Sequence, residues 1–169
     1  DAQTLLRQAD TAMYAAKRAS TGFAVYDPHQ SEQGGAQLSL LGELRQAVDR
    51  NELKLAYQPK IEIATGRVDG VECLVRWVHP ERGLIPPMHF IPFAEQTGFI
   101  RTITEWVIEN AVAQCGKWLA QGTSLKVAVN ISAHDLLNPA LPDRIQEALA
   151  RHQVPVSLLS MEITESAIM

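Results

Sequence analysis

Cysteine is scarce in this sequence. Cys73 and Cys115 are the only two, and they form no Cys-x-x-Cys pair. That excludes a disulfide scaffold and a cysteine-built zinc site, and it suits a reducing cytoplasm. Basic charge is not in excess either: the formal net charge is -4. A broad phosphate-binding face of the kind that holds nucleic acid is therefore excluded, and a phosphate-bearing ligand would need a local site. No apolar run approaches the ~20 residues that cross a bilayer, so no membrane segment is expected. The N-terminus lacks the basic-then-apolar pattern of a secretory leader. What is present is ordinary: 46% hydrophobic and 20% charged residues over 169 positions. Disorder and fibrous repeats are excluded, and the length fits one medium domain or one domain with a piece of another.

Residues 4–18 carry Leu5, Ala9, Met13 and Ala16 at helical spacing and predict a helix. A short strand, Phe23 to Tyr26, is expected after Gly22. Residues 28–37 combine Pro, Gly, Ser and Gln and read as a linker. The 27 residues before it are too few to bury a core of their own. Leu38 to Arg50 predicts a second helix. Leu53, Leu55, Tyr57, Ile61 and Ile63 then alternate with polar residues, Thr65-Gly66 supplies a turn, and Val68 to Val78 returns with the same period of two. So short a connection makes the strands antiparallel. A Pro- and Gly-rich loop is expected over His79 to Pro87. Helices are expected over His89 to Gln96 and Ile103 to Ala120, then a strand over Leu125 to Ile131, a helix over Leu141 to Arg151 and a strand over Leu158 to Ile163. Strand–helix alternation of this kind predicts an α/β fold with parallel strands.

Three of these strands place an oxygen-bearing side chain on their less apolar face: Glu72, Asn130 and Glu162. A lone Glu on a strand usually meets solvent. Parallel sheets, however, are normally covered on both faces, and a covered carboxylate needs a partner or a cation. Two carboxylates and an amide oxygen at neighbouring strand ends would suit Mg²⁺ or Mn²⁺ rather than zinc. The C-terminal ends of strands are also where α/β barrels hold their sites. The pattern points to a metal-dependent hydrolase or lyase. The other candidates read as structural. His29, His79, His89, His134 and His152 have no metal-ligand spacing and are expected on the surface or in loops. Trp106 and Trp118 fit helix packing, Cys73 a small buried apolar site, and Ser132 the N-cap of the helix that follows it. Lys126 lies too far below Asn130 for a catalytic role.

Gly70-Val71-Glu72-Cys73-Leu74-Val75-Arg76-Trp77 resembles the signature of EAL domains, with Cys73 where Ala is usual. Tyr57-Gln58-Pro59, residues 90–98 (FIPFAEQTG), Asn130-Ile131-Ser132 and Glu162-Ile163-Thr164-Glu165 extend the resemblance in order across residues 38–169. Residues 9–17 (ADTAMYAAK) resemble the last helix of a GGDEF domain. The implied organisation is a GGDEF remnant over 1–27, a linker over 28–37 and the N-terminal part of an EAL domain over 38–169.

The resemblance implies a modified TIM barrel that opens with an antiparallel hairpin. It also implies hydrolysis of cyclic di-GMP to pGpG with two Mg²⁺ or Mn²⁺ ions, which neutralise the phosphodiester and activate water. By the same resemblance Glu72, Asn130 and Glu162 are metal ligands, and Gln58, Leu74, Arg76 and Glu95 line the dinucleotide pocket. Arg76 would reach a phosphate oxygen with its planar fork. Glu165 would organise a loop near the metals without ligating them. The family's Asp pair, Lys and further Glu fall beyond Met169. Residues 38–169 are then about half of a ~250-residue barrel, and the chain alone is expected to be inactive. Its last strand would expose an apolar edge, so self-association is expected; shelter of that edge by the linker and first helix is the alternative. Two further readings stay open: a catalytically degenerate receptor or partner module, and a regulatory scaffold driven through the linker.

Overall fold

The structure, a computed structural model, describes residues 2–19, 22–26, 40 and 42–163. The chain divides into two units, residues 1–44 and 45–169. In the first, helix α1 spans Ala2–Ala19. Of its expected apolar stripe, Leu5, Ala9 and Met13 are exposed; so small a unit has little interior to offer them. The strand expected over Phe23 to Tyr26 is not formed. Phe23 and Val25 are largely exposed, and alternation cannot make a strand where no ladder partner is supplied. The expected linker, residues 28–37, lies outside the described residues.

Helix α2 covers residues 42–49. It ends where Asn51 takes φ 60°, a left-handed conformation that Asn tolerates better than most residues. There the Glu52 N–H donates to the Ala47 carbonyl, closing the last turn. Strands β1 (Leu53–Glu62) and β2 (Arg67–His79) form the expected antiparallel hairpin, with Tyr57 opposite Cys73 and Gln58 opposite Glu72. The pairing shifts between Lys60 and Ile61. Past that irregularity Ile61 and Ile63 are exposed, so the outer end of the hairpin buries nothing.

The loop expected over His79 to Pro87 contains a third strand, β3 (Gly83–Ile85), antiparallel to the end of β2. Three residues are too few for alternation to register in sequence. His79 is correspondingly not a surface residue. It is buried, its ring lies edge-on to Trp77 at 5.5 Å, and its Nδ1 accepts the N–H groups of Glu81 and Arg82. The Trp77 indole N–H donates to Glu52, and its ring meets that of the fully buried Phe90 at 5.7 Å.

A single 3₁₀ turn at Pro87–His89 precedes helix α3 (Ile91–Gln96), so the helix expected from His89 is split at Phe90. Helix α4 (Ile100–Ala120), strand β4 (Lys126–Ile131), the short helix α5 (Ala133–Leu136), helix α6 (Leu141–Arg151) and strand β5 (Leu159–Ile163) follow. The sheet order is β1-β2-β4-β5, with β4 parallel to β2 and β5 parallel to β4. β2 and β4 approach closely at Gly70, where a Cβ would lie 2.7 Å from the Lys126 carbonyl oxygen.

One face of the sheet carries Val71, Cys73, Trp77, Val127, Val129 and Ile131, all buried. Helix α4 packs on β1, β2 and β4, and α6 packs on α4. Tyr57 meets Trp118 of α4 edge-to-face at 5.0 Å, consistent with the packing role expected for that tryptophan. The opposite face carries Gln58, Glu72, Asn130 and Glu162.

Outside the core, Glu109 on α4 clasps α6. It accepts from Arg151 at 2.8 Å and lies 2.8 Å from His152 Nε2. Partial burial acts to raise the Glu109 pKa, but the bonds to His152 and Arg151 outweigh it and hold the carboxyl below its ordinary 4.5. A depressed carboxylate stabilises the fold above its unfolded-state pKa and loses that contribution as pH falls through the folded value. We expect wild type to exceed Glu109→Gln in stability by about 1 kcal/mol or less at neutral pH, since the pair is partly exposed. The gap should close as pH falls below about 4.5 in urea titrations.

Candidate functional site

The strand registers bring the polar residues together. Glu72 lies directly across from Gln58 on β1, and Asn130 directly beside Glu162 on β5. Glu72 pairs with Ala128, which leaves Asn130 diagonal to it on the same face. The Asn130 side-chain amide donates to Glu72 Oε1 at 2.7 Å. A carboxylate can only accept, so the amide nitrogen must turn toward Glu72, leaving the Asn130 carbonyl oxygen as an acceptor. Glu162, in turn, forms an ion pair with Lys60 of β1. In a flat sheet strands three places apart stand roughly 14 Å from each other. The pair spans the two strands between them through the long reach of both side chains.

A pocket of about 150 Å³ lies at the C-terminal ends of β2 and β4. It is lined by Leu74, Arg76, Glu95, Asn130 and Ser132, with Pro87 and Ile91 on one side and Ile100, Ile103 and Thr104 of α4 on another. Pockets that take whole ligands usually exceed ~300 Å³, so this one is a subsite. Arg76 Nη1 donates to the Val75 carbonyl at 2.9 Å. The candidate residues thus fall into two groups. Gln58, Glu72, Asn130 and Glu162 share the sheet face; Leu74, Arg76, Glu95 and Asn130 share the pocket. Asn130 belongs to both. Glu165 lies outside the described residues.

The donor set suits a hard divalent cation in kind: two carboxylates and an amide oxygen, with no thiol or imidazole. It is not complete in number. Among the described residues no group of three or more His, Cys, Asp or Glu is placed to hold a metal.

Behind Cys73 the chemistry is apolar. Its thiol is free and buried, and burial, with lesser contributions from Cys115 and Glu72, pushes it up to about 12. It is no nucleophile, in keeping with the small apolar role expected of it. Tyr57, on the same face, is also pushed up to about 12, mainly by burial. Lys126 is engaged with Asp69 at 3.1 Å, away from the site.

Two residues of this region escaped notice in the sequence. Lys60 is one; its polar alternation with Gln58 puts it on the site face, but nothing local foretells its reach to β5. Asp135 is the other, at 1% exposure. It accepts from the Ser132 hydroxyl at 2.7 Å, the Ser132 N–H at 2.8 Å and the Thr104 hydroxyl at 3.0 Å. Ser132 is the N-cap of α5 as expected, and Asp135 three residues on completes the capping box. The Ser-x-x-Asp spacing signalled the cap; the tie to α4 depends on packing. This network fixes the backbone just after Asn130.

Comparison with known proteins follows the same outline. The EAL domain family matches residues 41–169. The bifunctional diguanylate cyclase/cyclic di-GMP phosphodiesterase MucR of Pseudomonas aeruginosa is 42% identical over 174 residues, covering 100% of this chain and 25% of that protein. The cyclic di-GMP phosphodiesterase PdeR of Escherichia coli is 40% identical, covering 99% of this chain and 25% of its own length. Among solved structures, the PaMucR phosphodiesterase in complex with c-di-GMP superimposes with a TM-score of 0.73 at 45% identity, covering 78% of this chain and 53% of that one. The FimX EAL domain from Pseudomonas aeruginosa bound to c-di-GMP gives 0.67 at 27% identity, covering 75% and 50%. This chain therefore spans about a quarter of those curated relatives and about half of the solved domains.

Asp135→Ala should cost about 2–4 kcal/mol in chemical denaturation, because it strands the Thr104 hydroxyl and the Ser132 N–H in a buried setting.

Proposed function

The chain belongs to the EAL domain family, and from that premise we propose that it is part of a cyclic di-GMP phosphodiesterase. The reaction would be metal-assisted hydrolysis to pGpG. The observation that carries this reading is the meeting, at the C-terminal ends of parallel strands, of a hard-oxygen face (Glu72, Asn130, Glu162) with an arginine-bearing pocket (Leu74, Arg76, Glu95).

Glu72, Asn130 and Glu162 would hold Mg²⁺ or Mn²⁺, which supplies charge neutralisation and a more acidic water. The guanidinium of Arg76 would hold a phosphate oxygen in the pocket mouth. Leu74 and the α4 side chains Ile100 and Ile103 would shelter a base or ribose and exclude water. Gln58, across the strand from Glu72, would bond the ligand. Glu95, half-buried on α3, would accept from it. Asp135 would keep the Asn130 end of β4 in place through Ser132.

The test is release of pGpG from cyclic di-GMP with Mn²⁺. In a protein carrying the complete domain, Glu72→Gln and Glu162→Gln should each lower turnover on the order of 10²- to 10³-fold, the scale of losing one electrostatic contact to a transition state. The 169-residue chain alone should not turn over, since two carboxylates and one amide fall short of a two-metal donor set. Turnover by that chain overturns the second statement. Binding without turnover in the complete domain would favour a receptor.

We also propose that the chain self-associates through β5. Among the described residues that strand is the last of the sheet and carries the half-exposed Ile163, and unpaired apolar edges recruit partners. Light scattering should give a mass above that of the 18.6 kDa chain; a stable monomer at high concentration contradicts it.

A further inference from the structure

We propose that Lys60 is a built-in counter-ion of the site, standing beside Glu162 when no divalent cation is bound and withdrawing for one to enter. This rests on the reading of Glu162 as a metal ligand. Lys60 belongs to β1 and Glu162 to β5, 102 positions later, and their ion pair crosses the whole site face. The path is open because Lys60 lies opposite Gly70, which presents no side chain on that face.

The charges fit a place-holder. Glu72 is bonded by the neutral Asn130 amide, and Glu162 by one ammonium. Taken by themselves, Glu72, Glu162 and Lys60 carry one net negative charge with Lys60 in place and two negative charges once it withdraws. The same carboxylate oxygen cannot serve an ammonium and a divalent ion at close range without the two cations repelling each other. A lysine suits this task better than an arginine. It is a point charge on a flexible stem, without the bidentate fork that would lock Glu162. Its side chain is 41% exposed, so it can swing into water without leaving an unsatisfied buried group. Lys60 is thus a positioning residue. It holds Glu162 aimed across the face in the cation-free state, and it weakens cation binding as a consequence.

The experiment is Mn²⁺ titration calorimetry on a protein carrying the complete domain, with circular dichroism confirming the fold of each variant. Lys60→Met, with Lys60→Gln as its second version, should tighten Mn²⁺ binding roughly two- to fivefold, the scale of removing one close, partly exposed positive charge. Lys60→Arg should stay at or below wild-type affinity, and Glu162→Gln should weaken binding. A purely structural lysine would give the opposite sign, since its loss would loosen the site. If Lys60→Met leaves affinity unchanged or lowers it while Glu162→Gln weakens it, the counter-ion role is overturned and the ligand assignment stands. If Glu162→Gln binds as wild type does, or no variant binds, the ligand assignment fails and takes the proposal with it.

Discussion

Parallel pairing of β2, β4 and β5 is the constraint on which the site depends. It makes Glu72, Asn130 and Glu162, drawn from segments some 60 and 30 residues apart, near neighbours on one face. Gly70 makes the central pairing possible, because any side chain there would strike the Lys126 carbonyl and part the strands. The helices settle the other face. With α4 laid over Cys73, Val127 and Val129, and α6 over α4, the apolar residues have one destination. The polar ones are left to answer to each other. Glu72 and Glu162 do so by a bond within the site, amide to carboxylate and ammonium to carboxylate.

How much of this was legible depends on the range of the interaction. The hairpin, with Thr65-Gly66 between two alternating runs, could be read because strand period and turn chemistry are local. So could α6, whose observed span coincides with the expected Leu141 to Arg151. The separation of Glu72 from Cys73 onto opposite faces follows from the pleat alone. What failed was non-local. Phe23 to Tyr26 alternates as a strand should, yet forms none. Gly83–Ile85 pairs because β2 runs on past Trp77 and offers an edge. His79 looked like the first residue of a loop and is buried because that same extension folds over it. Ser132 was legible as an N-cap, while Asp135 went unnoticed because Thr104, which draws it inward, lies 31 positions earlier.

The site joins two chemical environments that meet at Asn130. Toward the sheet face its amide touches a carboxylate; toward the pocket it stands among Leu74, Ile100 and Ile103. Asparagine is well suited to such a junction. It offers a donor on one side and an oxygen on the other without adding charge to a face that already carries two acids.

Pro59 makes the edges of the sheet unequal. Among the described residues its outer strands are β1 and β5. Proline donates no hydrogen bond, and with Lys54 and Lys60 on the same strand it makes β1 a poor template for another chain. β5, Leu-Ser-Met-Glu-Ile, has neither proline nor lysine. Of the two, β5 is the better template for an added strand.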